Sequence, residues 1–97
     1  MRIEVSGKHL EVTPAIKQYA EEKCGKLPKF FDGVQEVFVV LENPRPDEFG
    51  VEIRADVVKH EDFIAKVSTK DLYEGIDLAV DKVARQLKDF KEKLRSR

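Results

Sequence analysis

The residues best suited to chemistry in this 97-residue chain are the cations of its closing segment, residues 82–97. That segment carries seven Lys or Arg and two Asp or Glu, a formal charge of +5, whereas the whole chain has a formal charge of -1. The remaining 81 residues therefore sum to -6. A basic segment on an acidic body indicates a polyanionic partner that meets one side of the molecule. The alternative is a solvated helix face whose lysines serve solubility.

Groups that could support catalysis or metal binding are scattered. The two histidines, His9 and His60, have no second ligand at metal-binding spacing, and His60 is predicted in a solvated turn. Cys24 lies on the predicted apolar face of a helix with no base beside it in sequence, which favours a buried structural thiol. The 19 carboxylates occur without a Gly-rich phosphate loop. We therefore expect no enzyme, metal site, cofactor or small-molecule substrate.

Length and composition predict one globular domain, residues 1–97, with 41% apolar and 38% charged residues. No apolar run is long enough to span a bilayer, and the opening stretch MRIEVSGKHLEV lacks the apolar core of a signal peptide. One cysteine suits a reducing compartment. We expect a cytoplasmic protein without a membrane partner.

The first half of the chain has four recognisable segments. They are a short strand at 2–6, a helix across 12–31, a strand at 34–42 and a loop at 43–50. Thr13 is the predicted N-cap of the helix, and Pro14 follows at the first helical position, where a missing N–H costs nothing. The loop is predicted from its two prolines and its glycine.

The second half predicts a hairpin and a long helix. Strict apolar–polar alternation in VEIRADVVK predicts a strand with one buried face, and FIAKVSTK predicts the next strand after the short turn HED. Asp71 and Glu74 form a capping box that begins the last helix. Its apolar stripe recurs at helical spacing: Ile76, Val80, Val83, Leu87, Phe90 and Leu94.

The element order β-α-β-β-β-α predicts an α+β fold, a two-layer sandwich of a four-stranded sheet with both helices on one face. The first two strands can pair in parallel, because the first helix can carry the chain back along the sheet. This order resembles that of a double-stranded-RNA-binding domain.

A helical wheel places cations on both flanks of the last helix. One flank has Lys82, Arg85 and Lys93, and the other has Lys88, Lys91 and Arg95. The first helix and its exit add Lys17, Lys23, Lys26 and Lys29. We expect Lys82 and Arg85 to lie near Lys23 and Lys26 in a basic trough that follows a phosphate backbone. Such contacts position a protein without reading sequence, so we expect recognition of folded RNA by shape.

Two long stretches carry a family resemblance: VSGKHLEVTPAIKQYAEEKCGKLPKFFD and EDFIAKVSTKDLYEGIDLAVDKVARQLKDFKEKL. Through them the whole chain resembles the short ribosome hibernation promoting factors of the protein Y (ribosome-associated inhibitor) family. The resemblance implies binding to the small ribosomal subunit, in the A and P site region of the channel for transfer and messenger RNA. It also implies blocked translation and preservation of inactive ribosomes in stationary phase or stress.

The resemblance further implies which residues contact ribosomal RNA (rRNA). They are Lys23, Lys26, Lys29, Lys82, Arg85, Lys88, Lys91 and Lys93. Lys88 fits the family pattern less well, because the family's lysine often comes one place later, where this chain has Asp89. Phe90 stands where a histidine is common, and its apolar position suggests core packing.

The sequence leaves alternatives open within the family and outside it. Within the family, the chain could be a short factor that acts with a second hibernation factor, or the N-terminal domain of a long factor that pairs ribosomes. A protein-interaction module without RNA binding is the rival class, and an oligomerising stress protein is a third. Salt separates RNA binding from an apolar protein interface, because only RNA binding weakens steeply as salt rises.

Overall fold

The computed structural model of the chain describes residues 1–95, and within that range it has four strands and two α-helices. Their order is β1 (Arg2–Lys8), α1 (Pro14–Cys24), β2 (Val34–Arg45), β3 (Glu48–Val57), β4 (Phe63–Thr69) and α2 (Leu72–Arg95). The predicted β-α-β-β-β-α order is confirmed. Arg97, which the charge of the closing segment includes, lies outside the described residues.

The strands form one mixed sheet in the spatial order β1-β2-β3-β4. β1 pairs in parallel with β2, with Ile3 opposite Val37, so α1 is the crossover between them. β2–β3 and β3–β4 are antiparallel pairs, and Ile53 of β3 lies opposite Ala65 of β4. The parallel first pair and the β3–β4 hairpin are both as the sequence predicts.

One face of the sheet forms the core. Val51, Ile53, Ala55 and Val57 are at most 2% exposed, which confirms the predicted alternation in β3. The same core cluster contains Ala20 and Cys24 of α1 together with Ile76, Val83 and Leu87 of α2. Both helices therefore cover this face, and the predicted two-layer α+β sandwich is confirmed.

The predicted loop at 43–50 is wrong, because β2 and β3 continue through most of it and only Pro46 and Asp47 turn the chain. Pro44 is tolerated in a strand because the β2–β3 register shifts beside it and the β1–β2 pairing has already ended at Glu42. The Asn43 side-chain amide donates a 2.8 Å hydrogen bond to the backbone carbonyl of Glu48, which ties the two strands together.

The first helix begins as predicted and ends early. Thr13 Oγ1 accepts a 3.2 Å hydrogen bond from the Ile16 N–H, and Pro14 is the first helical residue. The helix ends at Cys24, after which a 3₁₀ turn at Leu27–Lys29 carries the chain toward β2. Lys26 and Lys29 thus lie on the exit of the helix.

Candidate nucleic-acid interface

The orientation of α2 is set by its capping residue and by a glycine in its first turn. Asp71 Oδ1 accepts hydrogen bonds from the backbone N–H groups of Tyr73 at 3.0 Å and Glu74 at 3.5 Å. A Cβ on Gly75 would lie 3.0 Å from Val51 Cγ2 of β3, so the glycine permits a close approach of α2 to the sheet. These contacts fix the rotation of α2 and hence the direction of its basic side chains.

The helix is longer than the core that it covers. Ile76, Val83 and Leu87 are fully buried, whereas Leu94 at the end of the apolar stripe is 45% exposed. With 24 residues, α2 is about 36 Å long in a molecule whose longest dimension is 47 Å. Its last two turns extend past the packed core, so most side chains there face solvent.

The eight cations predicted to contact rRNA, here called the basic surface, all reach solvent. Lys23 is half-buried, and the others are exposed: Lys26, Lys29, Lys82, Arg85, Lys88, Lys91 and Lys93. Within residues 1–95, no ion pair engages four of the α2 cations: Lys82, Arg85, Lys88 and Lys91. Their charges are available to an anionic partner.

The groove between α1 and α2 mixes cations with carboxylates. It has a volume of about 240 Å³ and is lined by Lys23, Lys26, Asp77, Val80 and Asp81. Lys23 Nζ lies 3.6 Å from Asp77 Oδ1 and 5.3 Å from the centroid of the Tyr19 ring. The charge of Lys23 is therefore partly compensated before any partner arrives.

Tyr19 connects the two helices above this groove. Its hydroxyl donates a 2.8 Å hydrogen bond to Asp77 Oδ1, and this bond, with a further contribution from burial, raises the pKa of Tyr19 to about 12. The Tyr19 ring meets Tyr73 edge-on, with centroids 4.9 Å apart. Tyr73 packs in this way and is still 40% exposed.

The expected trough does not form as predicted, because the groove that holds Lys23 and Lys26 is lined on α2 by Asp77, Val80 and Asp81 and not by Lys82 or Arg85. Asp81 faces the groove, and the next residue of a helix lies about 100° further around the axis. Gln86, one turn after Lys82 on the same flank, donates a 3.2 Å hydrogen bond to the Ile64 carbonyl of β4. Lys82 is therefore on the β4 side of α2.

The cations of α2 consequently spread over three directions. Arg85 lies on the outward face of the helix, between its two flanks. Lys88 follows Asp81 by two turns and continues the α1 side of the helix, and Lys93 continues the β4 side. The basic surface thus wraps around the end of α2 and continues along the exit of α1.

Sequence reasoning missed two features of this region. Asp77 and Asp81 are four residues apart and share the α1 side of α2, a spacing that could have identified them as groove residues. His60, predicted to be a solvated turn residue, is exposed, yet its ring stacks on Phe63 with a centroid distance of 4.7 Å. No sequence pattern signals that contact, since it depends on the hairpin geometry.

The remaining candidate groups are the Cys24 thiol and the side chains that could bind a metal ion. Cys24 is fully buried, and burial raises the pKa of its thiol to about 12, which confirms a structural thiol. Among residues 1–95 there is no group of three or more His, Cys, Asp or Glu side chains placed to hold a metal ion. In the same range, no helix combines the length and apolar character needed to cross a membrane.

The sequence of the chain is similar to known proteins over most of its length. The sequence profile of the family described as Sigma 54 modulation protein / S30EA ribosomal protein matches residues 3–95. A ribosome hibernation promoting factor of Klebsiella oxytoca is 33% identical over 98% of both chains. Its counterpart in Azotobacter vinelandii is 35% identical over 96% of this chain and 85% of its own.

A solved structure shows the same fold. The crystal structure of the Thermus thermophilus Protein Y N-terminal domain superimposes with a TM-score of 0.84 at 34% identity. The match covers 93% of this chain and 99% of that domain. The architecture and the sequence thus point to the same relatives.

Proposed function

Because this chain belongs to the Sigma 54 modulation protein / S30EA ribosomal protein family, we propose that it binds the small ribosomal subunit. The proposed position is the channel for transfer and messenger RNA, in the A and P site region. There it blocks translation and preserves inactive ribosomes in stationary phase or stress. In this proposal residues 1–97 act as one cytoplasmic, non-catalytic domain, and its contacts to rRNA come from the eight cations of the basic surface.

The exposed cations of α2 carry this proposal. From Lys82 to Lys93 the helix rises about 16 Å, and exposed Lys or Arg side chains occur on every turn of that stretch. Cations spread along a rod are suited to the phosphates of a folded RNA, and they position a protein without reading bases. The names of the relatives in Klebsiella oxytoca and Azotobacter vinelandii support the ribosome as the partner.

Co-sedimentation with purified small subunits tests the proposal. The double variant Lys82→Glu/Arg85→Glu is expected to abolish co-sedimentation and leave the fold intact, because both side chains are exposed and form no ion pair in the described part of the chain. The matched control is Lys8→Glu/Lys70→Glu, which changes the net charge equally at exposed positions away from the end of α2. Retained binding by the first variant, or equal loss by the control, counts against the basic surface.

Ribosome pairing is a separate part of the proposal. We expect ribosomes mixed with this chain alone to sediment as single particles on a sucrose gradient, and to pair only when a second hibernation factor is added. Pairs formed by the chain alone would instead indicate that it carries its own pairing surface.

A further inference from the structure

A pocket lies on the β4 side of α2, apart from the groove between the two helices. It lies where the helix leaves the sheet, has a volume of about 470 Å³, and falls within the range of roughly 300–1,000 Å³ that is typical of small-molecule sites. Its lining includes His60, Phe63, Asp89, Phe90, Lys93 and Leu94. This set is called the aromatic pocket below.

The three rings of the aromatic pocket support one another. The His60 ring is within 5° of parallel to Phe63, and Phe90 is tilted by 55° to His60 at a centroid distance of 4.4 Å. Phe31 meets the Phe90 ring edge-on at 5.3 Å, which anchors Phe90 to the segment after α1. The rings are thus held in place before any ligand arrives.

His60 is also fixed by its backbone neighbour. Its Nδ1 lies 2.7 Å from the Glu61 carbonyl oxygen. Because a carbonyl can only accept, Nδ1–H is the donor of this hydrogen bond. The ring is therefore held in one orientation within the pocket.

The chemistry of the pocket matches an unpaired nucleobase. Aromatic side chains stack on bases of every type, and the carboxylate of Asp89 can accept a hydrogen bond from an exocyclic amine. Lys93 lines the same pocket, and Lys82 lies on the same flank of α2, so cations stand where the attached ribose-phosphate would run. An apolar protein side chain would use the rings but neither the carboxylate nor the cations.

We propose that the aromatic pocket receives one unstacked nucleobase of the RNA that the basic surface holds. This inference rests on the proposed function for the identity of the RNA, but base binding can be measured without ribosomes. A turn residue surrounded only by solvent would not make the ring contacts that His60 makes with Phe63 and Phe90.

Nuclear magnetic resonance of the whole chain with adenosine, adenosine monophosphate and inorganic phosphate as separate probes tests base binding. Both adenine probes are expected to shift the ring signals of His60, Phe63 and Phe90, whereas phosphate alone leaves them in place. His60→Asn is expected to remove the response and His60→Phe to retain it. His9→Asn is the matched control, because His9 is the other histidine and its positive φ of 54° is one that Asn tolerates.

Affinity for small subunits provides the second arm. His60→Asn is expected to weaken binding about tenfold without loss of fold, and His60→Phe and His9→Asn to bind as the wild type does. Unchanged subunit binding by a folded His60→Asn overturns the pocket proposal and leaves the proposed function standing. If the wild type does not bind subunits, the proposed function fails, and the adenine-induced shifts decide the pocket. Ring signals that respond only to an apolar peptide would assign the pocket to a protein partner and overturn the proposal.

Discussion

Two charged surfaces of this molecule differ in how their cations are paired. On the sheet face opposite the helices, Lys66 lies 3.6 Å from Glu52, and Arg54 lies 3.8 Å from both Glu52 and Asp62. On α2, in the described part of the chain, Lys82 and Lys91 take part in no ion pair. The sheet neutralises Arg54 and Lys66 internally, whereas Lys82 and Lys91 have no such partner among residues 1–95.

The difference follows from the geometry of the two elements. Cross-strand neighbours face each other in the sheet, and Glu52 lies opposite Lys66 in the β3–β4 register. On a helix the neighbours are three and four residues away, and Lys82 and Lys91 have no acidic residue at any of those positions. Counting charges does not separate the two surfaces, but the placement of opposite charges does.

The largest effect is expected from a substitution that disrupts the core on which both surfaces depend. Leu87→Asp places an unpaired carboxylate at a fully buried position, at a cost of more than about 4 kcal/mol, and is expected to unfold the protein. Circular dichroism measures the loss of structure. The control is Leu94→Asp, since Leu94 is 45% exposed and its replacement is expected to leave the fold intact. A well-folded Leu87→Asp variant would mean that the apolar side of α2 is assigned wrongly.

An intermediate effect is expected in the groove between α1 and α2, where Asp77 is paired with Tyr19 and Lys23. Tyr19→Phe removes the hydrogen bond to Asp77 and is expected to lower the free energy of unfolding by about 0.5–1.5 kcal/mol. Urea denaturation measures the change. Tyr73→Phe is the control, because no side-chain hydrogen bond of its hydroxyl occurs within residues 1–95. Equal effects of the two variants would show that the Asp77 bond contributes nothing.

The hydrogen bond between Tyr19 and Asp77 makes the free energy of unfolding depend on pH in the alkaline range. Because the folded-state pKa of Tyr19 is raised from 10.0 to about 12, folding favours the protonated phenol. This contribution is complete below pH 10 and is lost as the pH rises toward 12. The difference in unfolding free energy between the wild type and Tyr19→Phe is therefore expected to shrink across that window. A constant difference would contradict the assignment.

The smallest effect is expected on the sheet. Lys66→Ala removes one partner of Glu52 at a position where the side chain is 74% exposed, and the expected cost is below about 1 kcal/mol. Arg54 remains beside Glu52 in this variant, so the carboxylate keeps a partner. Thermal unfolding measures the change. A loss as large as that of Tyr19→Phe would show that the sheet pairs contribute more than exposed ion pairs usually do.

Much of the fold follows from local patterns. The alternation at Val51, Ile53 and Ala55 and the cap at Asp71 each predict an element that the structure contains. The hairpin across 43–50 does not follow, because Pro44 and Pro46 signal a loop in isolation. A strand accommodates Pro44, which has no backbone N–H, only because the β2–β3 register shifts there and β1 no longer pairs with β2 at that position. Both conditions are properties of the assembled sheet.

The candidate site is predictable to a smaller extent. Sequence and resemblance propose its cations, and helical periodicity places Lys82 and Lys93 on one flank of α2 and Lys88 and Lys91 on the other. They do not show which flank of α2 meets α1, since this depends on packing across the sheet. Asp77 and Asp81, and not Lys82, therefore occupy the groove. The stacking of His60 on Phe63 and Phe90 likewise arises only when the β3–β4 turn meets the end of α2.

The salt dependence of affinity for purified small subunits separates the role of the α2 cations from that of the sheet cations. Three proteins are compared: the wild type, Lys82→Gln/Lys91→Gln on α2, and Arg54→Gln/Lys66→Gln on the sheet. The wild-type affinity is predicted to fall steeply with salt, the α2 variant to reduce the log–log slope by about 2, and the sheet variant to leave it unchanged. A wild-type affinity that does not respond to salt, or equal slopes for the two variants, would show that the α2 cations do not bind phosphates of the subunit.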